Sequence, residues 1–354
     1  MQSIPTLPGI DSQRLRSSRL ETRVLTCGPT DGTPVVFVHG NLSAATWWEE
    51  IMLALPPEFR GVAFDQRGYG EADPQAKIDA TRGVRDLSED LSALLDVLGL
   101  KQVHLVGHSL GGSVLWRFLM DHSQRIRSVT QVCPGSPFGF GGCLPEGTAC
   151  FPDGAGSGGG TVGRPFVERL QAGDRSDEDP QSSPRNVLNS LVWKPPFVPA
   201  RMEDILTATL ATHLGEQDYP GDFQPSPHWP GVAPGRYGAV NALSPLYQEP
   251  PDRLYELEVK PPILWIRGES DLVVSDQSMA DFGTLGKLGF IPEWPGEKVF
   301  PSQPMVSQTE EVLHEYARRG GVCNEVVFTD CGHSPYLEDP EQFNRVFHAF
   351  ITAH

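Results

Sequence analysis

The chain has 354 residues, 39% of them hydrophobic, and a formal net charge of -17. That length supports one large core, or a core with a smaller attached unit. So acidic a surface repels phosphate backbones and anionic lipid, which argues against nucleic-acid and membrane-surface roles. The opening stretch MQSIPTLPGIDSQRLRSS lacks a basic segment followed by an apolar one, so no export signal is expected. TPVVFVHG (33–40), GVAFD (61–65) and QVHLVG (102–107) are short, valine-rich apolar runs and predict buried strands. Between the last two lies VRDLSEDLSALLDVLGL, whose leucines at 87, 91, 94, 95 and 98 keep helical spacing, with Gly99 as its stop. LGGSVLWRFLMDH predicts another helix and IRSVTQVC (126–133) another strand. Strands and helices alternating in this way imply right-handed crossovers and a mostly parallel sheet, an α/β fold.

From 137 to 250 the character changes to Gly, Pro, Ser and aromatic residues with little strand pattern. DGAGSGGGTVG (153–163) reads as flexible, DRSDEDPQSSP (174–184) as a solvated charged loop, and ARMEDILTATLATHL (200–214) as a helix. A disordered linker does not usually carry Phe138, Phe140, Trp193, Phe197, Trp229 and Tyr237, so the segment reads as an inserted cap. Cys143 and Cys150 lie within it and would pair only in an oxidising compartment; free thiols and a cytoplasmic location are expected. Sheet pattern returns at PPILWIRG (261–268) and NEVVFTD (324–330), separated by a second long connection expected to loop near the same rim. The chain closes on a helix with Asp339 as N-cap, Pro340 at N1 and an apolar face of Phe343, Val346, Phe347, Phe350 and Ile351. The expected division is a core of 1–136 and 251–354 with a cap of 137–250. No run of about 18 apolar residues and no C-x-x-C or H-E-x-x-H zinc spacing occurs, so neither a membrane span nor a metal is expected.

Ser109 stands between Gly107 and Gly111 where a predicted strand meets a predicted helix. A sharp turn there leaves no room for side chains two residues to either side, and the helix start offers free N–H groups and a positive dipole end. A serine hydroxyl needs a base, and the base needs an acid to hold its tautomer. Of ten histidines, His333 follows a strand, lies in a loop and precedes the last helix. After the strand at 261–267 comes GESDLVVSD, where Asp271 is the leading candidate acid and Glu269 and Asp276 are alternatives. The backbone N–H groups of Asn41 and Leu110 are the expected oxyanion donors. Trp47 and Trp48, just after the oxyanion loop, are candidate pocket walls, as is His108; His39 and Arg67 are expected to brace their loops.

Strand-HGN, FDQRGYG, GHSLGG, GESD and GHSPYLEDP, in this order and each at a strand end, resemble the α/β-hydrolase family over about 1–136 and 251–354. The resemblance implies Ser109 as nucleophile, His333 as base and Asp271 as its orienting acid. It implies an α/β-hydrolase fold: a mostly parallel sheet flanked by helices, with an inserted cap. The small hydroxyl residue usual after DQRGYG is replaced within EAD, near Ala72, a matter of turn structure. Serine as nucleophile points to attack on a carbonyl rather than on saturated carbon. The expected activity is hydrolysis of a small to medium apolar or aromatic carboxylic ester through an acyl-enzyme, without metal or organic cofactor. A lactonase or carbon–carbon hydrolase on the same triad, a cofactor-free haloperoxidase, and a ligand-binding receptor with weak turnover are the alternatives. The expected partner is a small-molecule substrate, with the protein a monomer or homodimer.

Overall fold

A computed structural model describes residues 4–354; of the N-terminal stretch read for an export signal, residues 1–3 lie outside the described part. An eight-stranded sheet organises the core. Its strands are β1 (Asp11–Arg16), β2 (Glu21–Cys27), β3 (Thr33–Val38), β4 (Phe59–Phe64), β5 (Val103–His108), β6 (Ile126–Val132), β7 (Ile263–Gly268) and β8 (Cys323–Phe328). Their spatial order is β1-β2-β4-β3-β5-β6-β7-β8. β2 runs antiparallel to both β1 and β4, and every later pairing is parallel. The six strands expected from valine-rich runs are all present within two or three residues. The β1–β2 hairpin was not expected, because DSQRLR carries no buried residue and gives no apolar pattern.

Helices cover both faces. α1 (Arg85–Val97) buries Leu87, Leu91, Leu94 and Leu95, and Gly99 beyond it takes a φ of 68° that favours glycine. α2 (Leu110–His122) follows β5 and is buried along most of its length. The last helix, α5 (Pro340–Ala353), starts with the Asp339 carboxylate accepting the Gln342 N–H at 3.0 Å. Its Phe343, Phe347, Phe350 and Ile351 are buried, with Phe347 against Phe37 of β3 at 6.1 Å.

Between β6 and β7 lies the long irregular segment, with α3 (Met202–Leu210) where a helix was expected. The glycine-rich stretch 153–163, expected to be flexible, is instead packed: residues 154–159 are buried. The reason is close packing against distant segments. Gly154, Gly156 and Gly158 adopt φ of 71°, 83° and 82°, and a side chain at Gly156 or Gly158 would overlap the Phe300 ring or the Asn241 amide. The connection between β7 and β8, expected as a loop, holds a short helix at Phe282–Lys287 and the longer α4 (Met305–Arg318). Among the described residues no helix is long and apolar enough to cross a membrane.

Candidate active site

The carboxyl ends of the parallel strands β3, β5, β6, β7 and β8 bring the site together, as expected for an open α/β sheet. Ser109 follows β5 directly and holds φ 54° and ψ -117°, a region L-residues rarely occupy. Three backbone bonds hold it there. Its N–H donates to Val132 O at 3.1 Å, and its carbonyl accepts the N–H of Ser113 at 3.1 Å and of Gly135 at 3.2 Å. The flanking glycines are required by contact: a Cβ at Gly107 would stand 2.7 Å from Gly111 O, and one at Gly111 would overlap Val38 O. Ser109 is half-buried, while His108 and Leu110 on either side are buried.

His333 lies in the loop after β8, and Asp271 in the loop after β7. His333 Nδ1 meets Asp271 Oδ2 at 2.7 Å, both side chains being buried. The other Asp271 oxygen accepts the N–H groups of Val273 and Val274 at 2.7 and 2.9 Å, which fixes the carboxylate plane. A carboxylate only accepts, so Nδ1 carries the proton and Nε2 is left with its lone pair. The two other candidate acids stand elsewhere. Glu269 is exposed, and Asp276 accepts the N–H groups of Val306 and Ser307 at the start of α4. Cys133, after β6, has a φ of 41°, and its sulfur, a His333 ring nitrogen and an Asp271 oxygen lie within 4.8 Å of one another. Burial and the Asp271 charge push the Cys133 thiol well above its ordinary value, so it stands beside the pair as a neutral thiol.

The loop that carries the candidate oxyanion donor Asn41 leaves β3 as His39-Gly40-Asn41-Leu42. A Cβ at Gly40 would stand 3.1 Å from Ser109 Cβ and 2.9 Å from His108 Nδ1, so the loop backbone rests directly on the elbow. Leu42 has a φ of 53° and spends its N–H on the Asn41 side-chain oxygen at 3.0 Å. Tyr69 Oη donates to the same oxygen at 2.7 Å. The backbone N–H groups of Asn41 and Leu110 have no acceptor among the described residues. His39 braces this loop: Nδ1 donates to Gly40 O at 2.8 Å and Nε2 accepts the Gln66 N–H at 2.9 Å. Burial lowers His39 to about 4, so the ring is neutral. Arg67 grips Asp90 of α1 with two bonds of 2.7 Å.

The proposed pocket walls take different positions. Trp48 is wholly buried and stacks on Tyr336 at 4.2 Å. Trp47, 3% exposed, meets Trp193 of the insertion at 6.3 Å. His108 is buried with its ring 4.7 Å from that of His333, and its Nε2 donates to His333 O at 2.8 Å. Burial holds His108 well below its ordinary value, so it is a neutral brace for the His333 backbone. Glu338 went unread in the sequence. Its carboxylate accepts the N–H groups of Gly332 and Ser334, on either side of His333. The signal was a carboxylate five positions after the histidine inside GHSPYLEDP.

A family model described as alpha/beta hydrolase fold matches residues 33–302, most of the chain. Among curated proteins, the chain is 36% identical over 99 residues to a non-heme chloroperoxidase, CPO-A1, of Kitasatospora aureofaciens, covering 27% of this chain and 35% of that protein. It is 31% identical over 119 residues to the carboxylesterase YbfK of Bacillus subtilis, covering 33% of this chain and 39% of the relative. The match thus spans less than two fifths of the length of each relative. The crystal structure of carboxylesterase CesB (YbfK) from Bacillus subtilis superposes with a TM-score of 0.58 at 17% identity, over 98% of this chain and 92% of that one.

Proposed function

The chain belongs to the alpha/beta hydrolase family, and from that premise we propose that it is a serine hydrolase of small to medium carboxylic esters. The observation that carries this reading is the His333–Asp271 bond of 2.7 Å, set at adjacent strand ends, with the His333 ring 4.7 Å from that of His108, the residue before Ser109 in its strained turn. The carboxylesterase among its relatives supports the ester as the bond attacked. His333 Nε2 takes the Ser109 proton as Oγ attacks the carbonyl carbon. The oxyanion that forms is stabilised by the Asn41 and Leu110 N–H groups, held by rigid backbone before the reaction begins. His333 then gives its proton to the departing alcohol oxygen. Water, deprotonated by the same ring, attacks the acyl-enzyme and releases the acid and free Ser109. Asp271 stays ionised throughout and stabilises the imidazolium. The insertion at 137–250 acts as the cap, and its aromatic and proline content favours apolar or aromatic acyl or alcohol groups.

The test is a panel of short p-nitrophenyl esters, lactones and thioesters, run against wild type and Ser109→Ala with mass-spectrometric trapping of the acyl-enzyme. Esters are expected to turn over fastest, with an acyl adduct on Ser109 and a loss of roughly 10⁴-fold or more in the variant. Full esterase activity in Ser109→Ala would remove the assignment. A faster reaction with lactones would shift the substrate class on the same triad. Ligand binding without turnover in wild type would favour a receptor.

A further inference from the structure

The loop that carries His333 is pinched from two sides. On one side lies the end of β7, where a side chain at Gly268 would overlap the carbonyl of Gly332. On the other lies the insertion: a Cβ at Gly332 would stand 2.8 Å from the backbone nitrogen of Lys194 and 2.9 Å from the carbonyl carbon of Trp193. The strap Trp193–Lys194 therefore rests on the backbone next to His333. Trp193 anchors it, 1% exposed, with its indole N–H donating to Asn189 at 3.1 Å.

One carboxylate joins the strap to the loop. Glu338 Oε2 accepts the Lys194 N–H at 2.7 Å and the Gly332 N–H at 2.9 Å, while Oε1 accepts the Ser334 N–H at 3.1 Å. The short helix Pro335–Glu338 that bears it is anchored by buried Pro335, Tyr336 and Leu337. A carboxylate has acceptor capacity for all these donors on both oxygens, whereas an amide in its place would turn an NH₂ toward one of them. The Lys194 side chain, by contrast, reaches Asp330 at 3.1 Å in an exposed pair that contributes little. We propose that Glu338 is a positioning residue that sets the His333 loop and seats the cap strap through the same carboxylate, so that cap seating and placement of the base are coupled. This rests on His333 being the base. Three groups face the His333 ring: Asp271 from the loop after β7, His108 from β5 and Cys133 from after β6, while Glu338 accepts the backbone N–H groups on either side of it. Around Glu338 stand Cys331, Asp330 and Asp339 of its own segment and Lys194 of the strap.

Two variants of the full chain test the coupling. Glu338→Gln keeps the shape and removes the charge. Lys194→Pro removes the strap's N–H together with the exposed Lys194–Asp330 pair, and Trp193 before it already holds φ -137° and ψ 163°, the extended conformation required before proline. Hydrogen exchange is read at 189–197 and 330–335, with a thermal melt to establish folding and kcat, KM and pH profiles on p-nitrophenyl acetate. In Glu338→Gln, exchange is expected to rise in both segments, and kcat to fall on the order of 10–100-fold with a smaller change in KM. Lys194→Pro should raise exchange in both segments and lower kcat by less. Faster exchange confined to 330–335 in Glu338→Gln, or an unchanged kcat in Lys194→Pro, would overturn the coupling. Exchange does not depend on turnover, so a wild type without esterase activity would remove the serine-hydrolase reading alone.

Discussion

The rim and the insertion above it are both built from irregular backbone, yet they are held by opposite means. At the rim, strand ends and close backbone contacts do the holding. Ser109 and Cys133 sit at left-handed φ directly after β5 and β6, as does Leu42 in the loop after β3, and Gly107 and Gly111 let neighbouring backbones touch while Gly40 rests against the His108 and Ser109 side chains. In the segment 137–250, which holds two short two-stranded ladders, buried side-chain amides add the bonds between loops. Asn241, wholly buried, accepts the N–H groups of Gly159 and Gly235 and donates to the carbonyls of Asp222 and Tyr237. Gln303 bonds Gly139 and Gly141, and Gln308 bonds Ser136 and Leu144, tying the start of the insertion to the connection before β8. Strain at the rim is tolerated because the sheet over-determines it. The insertion stays ordered because its buried backbone groups find side-chain partners.

The contrast can be broken at several points. The largest effect is expected at the rim: Asp271→Asn leaves the geometry intact but reverses the histidine tautomer, costing about 10⁴-fold in kcat. Near-wild-type turnover of a folded variant would move the acid to another residue. Next comes Gly111→Ala, which drives a methyl into the Val38 carbonyl and should lower global stability by about 3 kcal/mol in denaturant titration. A shift below half of that would mean the elbow relaxes easily. Asn241→Ala should act more locally, at roughly 2 kcal/mol, because it leaves several backbone groups of the insertion unpaired. Limited proteolysis is then expected to cut within 150–240 before the sheet unfolds; simultaneous loss of both would make the insertion part of the core's cooperative unit.

The mildest expected effect is graded. Burial lowers His39 and His104 from 6.5 to about 4, so the unfolded chain binds more protons than the folded one between those values. Stability is therefore full above about pH 6.5 and falls as pH drops toward 4. His39→Gln should flatten part of that slope in pH-dependent melts, and an unchanged slope would place the acid sensitivity elsewhere.

The strand ends were legible because their signals are local. GHSLGG, HGN and GHSPYLEDP each lie within a few residues of the strand that positions them, and α5 follows its cap and apolar face residue by residue. The β1–β2 hairpin escaped because its strand pairing is backbone work and Asp11–Arg16 shows no buried face. The stretch 153–163 was misread for a different reason. Glycines look alike whether they free a chain or let it pack, and here Phe300 and Asn241, far along the sequence, decide which.

By itself, the sequence determined the parallel sheet and the positions of Ser109, Asp271 and His333 after its strands. Those features rest on periodicity and on turns, which neighbouring residues dictate. Only the tertiary structure decided that Asp271, rather than Glu269 or Asp276, meets His333, and that Trp48 and His108 pack behind the loop bearing it. It alone laid the strap Trp193–Lys194 on Gly332 through Glu338. Each of these depends on contacts between segments that the sheet order brings together, and a hydrogen bond or a stacked ring leaves no periodic trace in the chain.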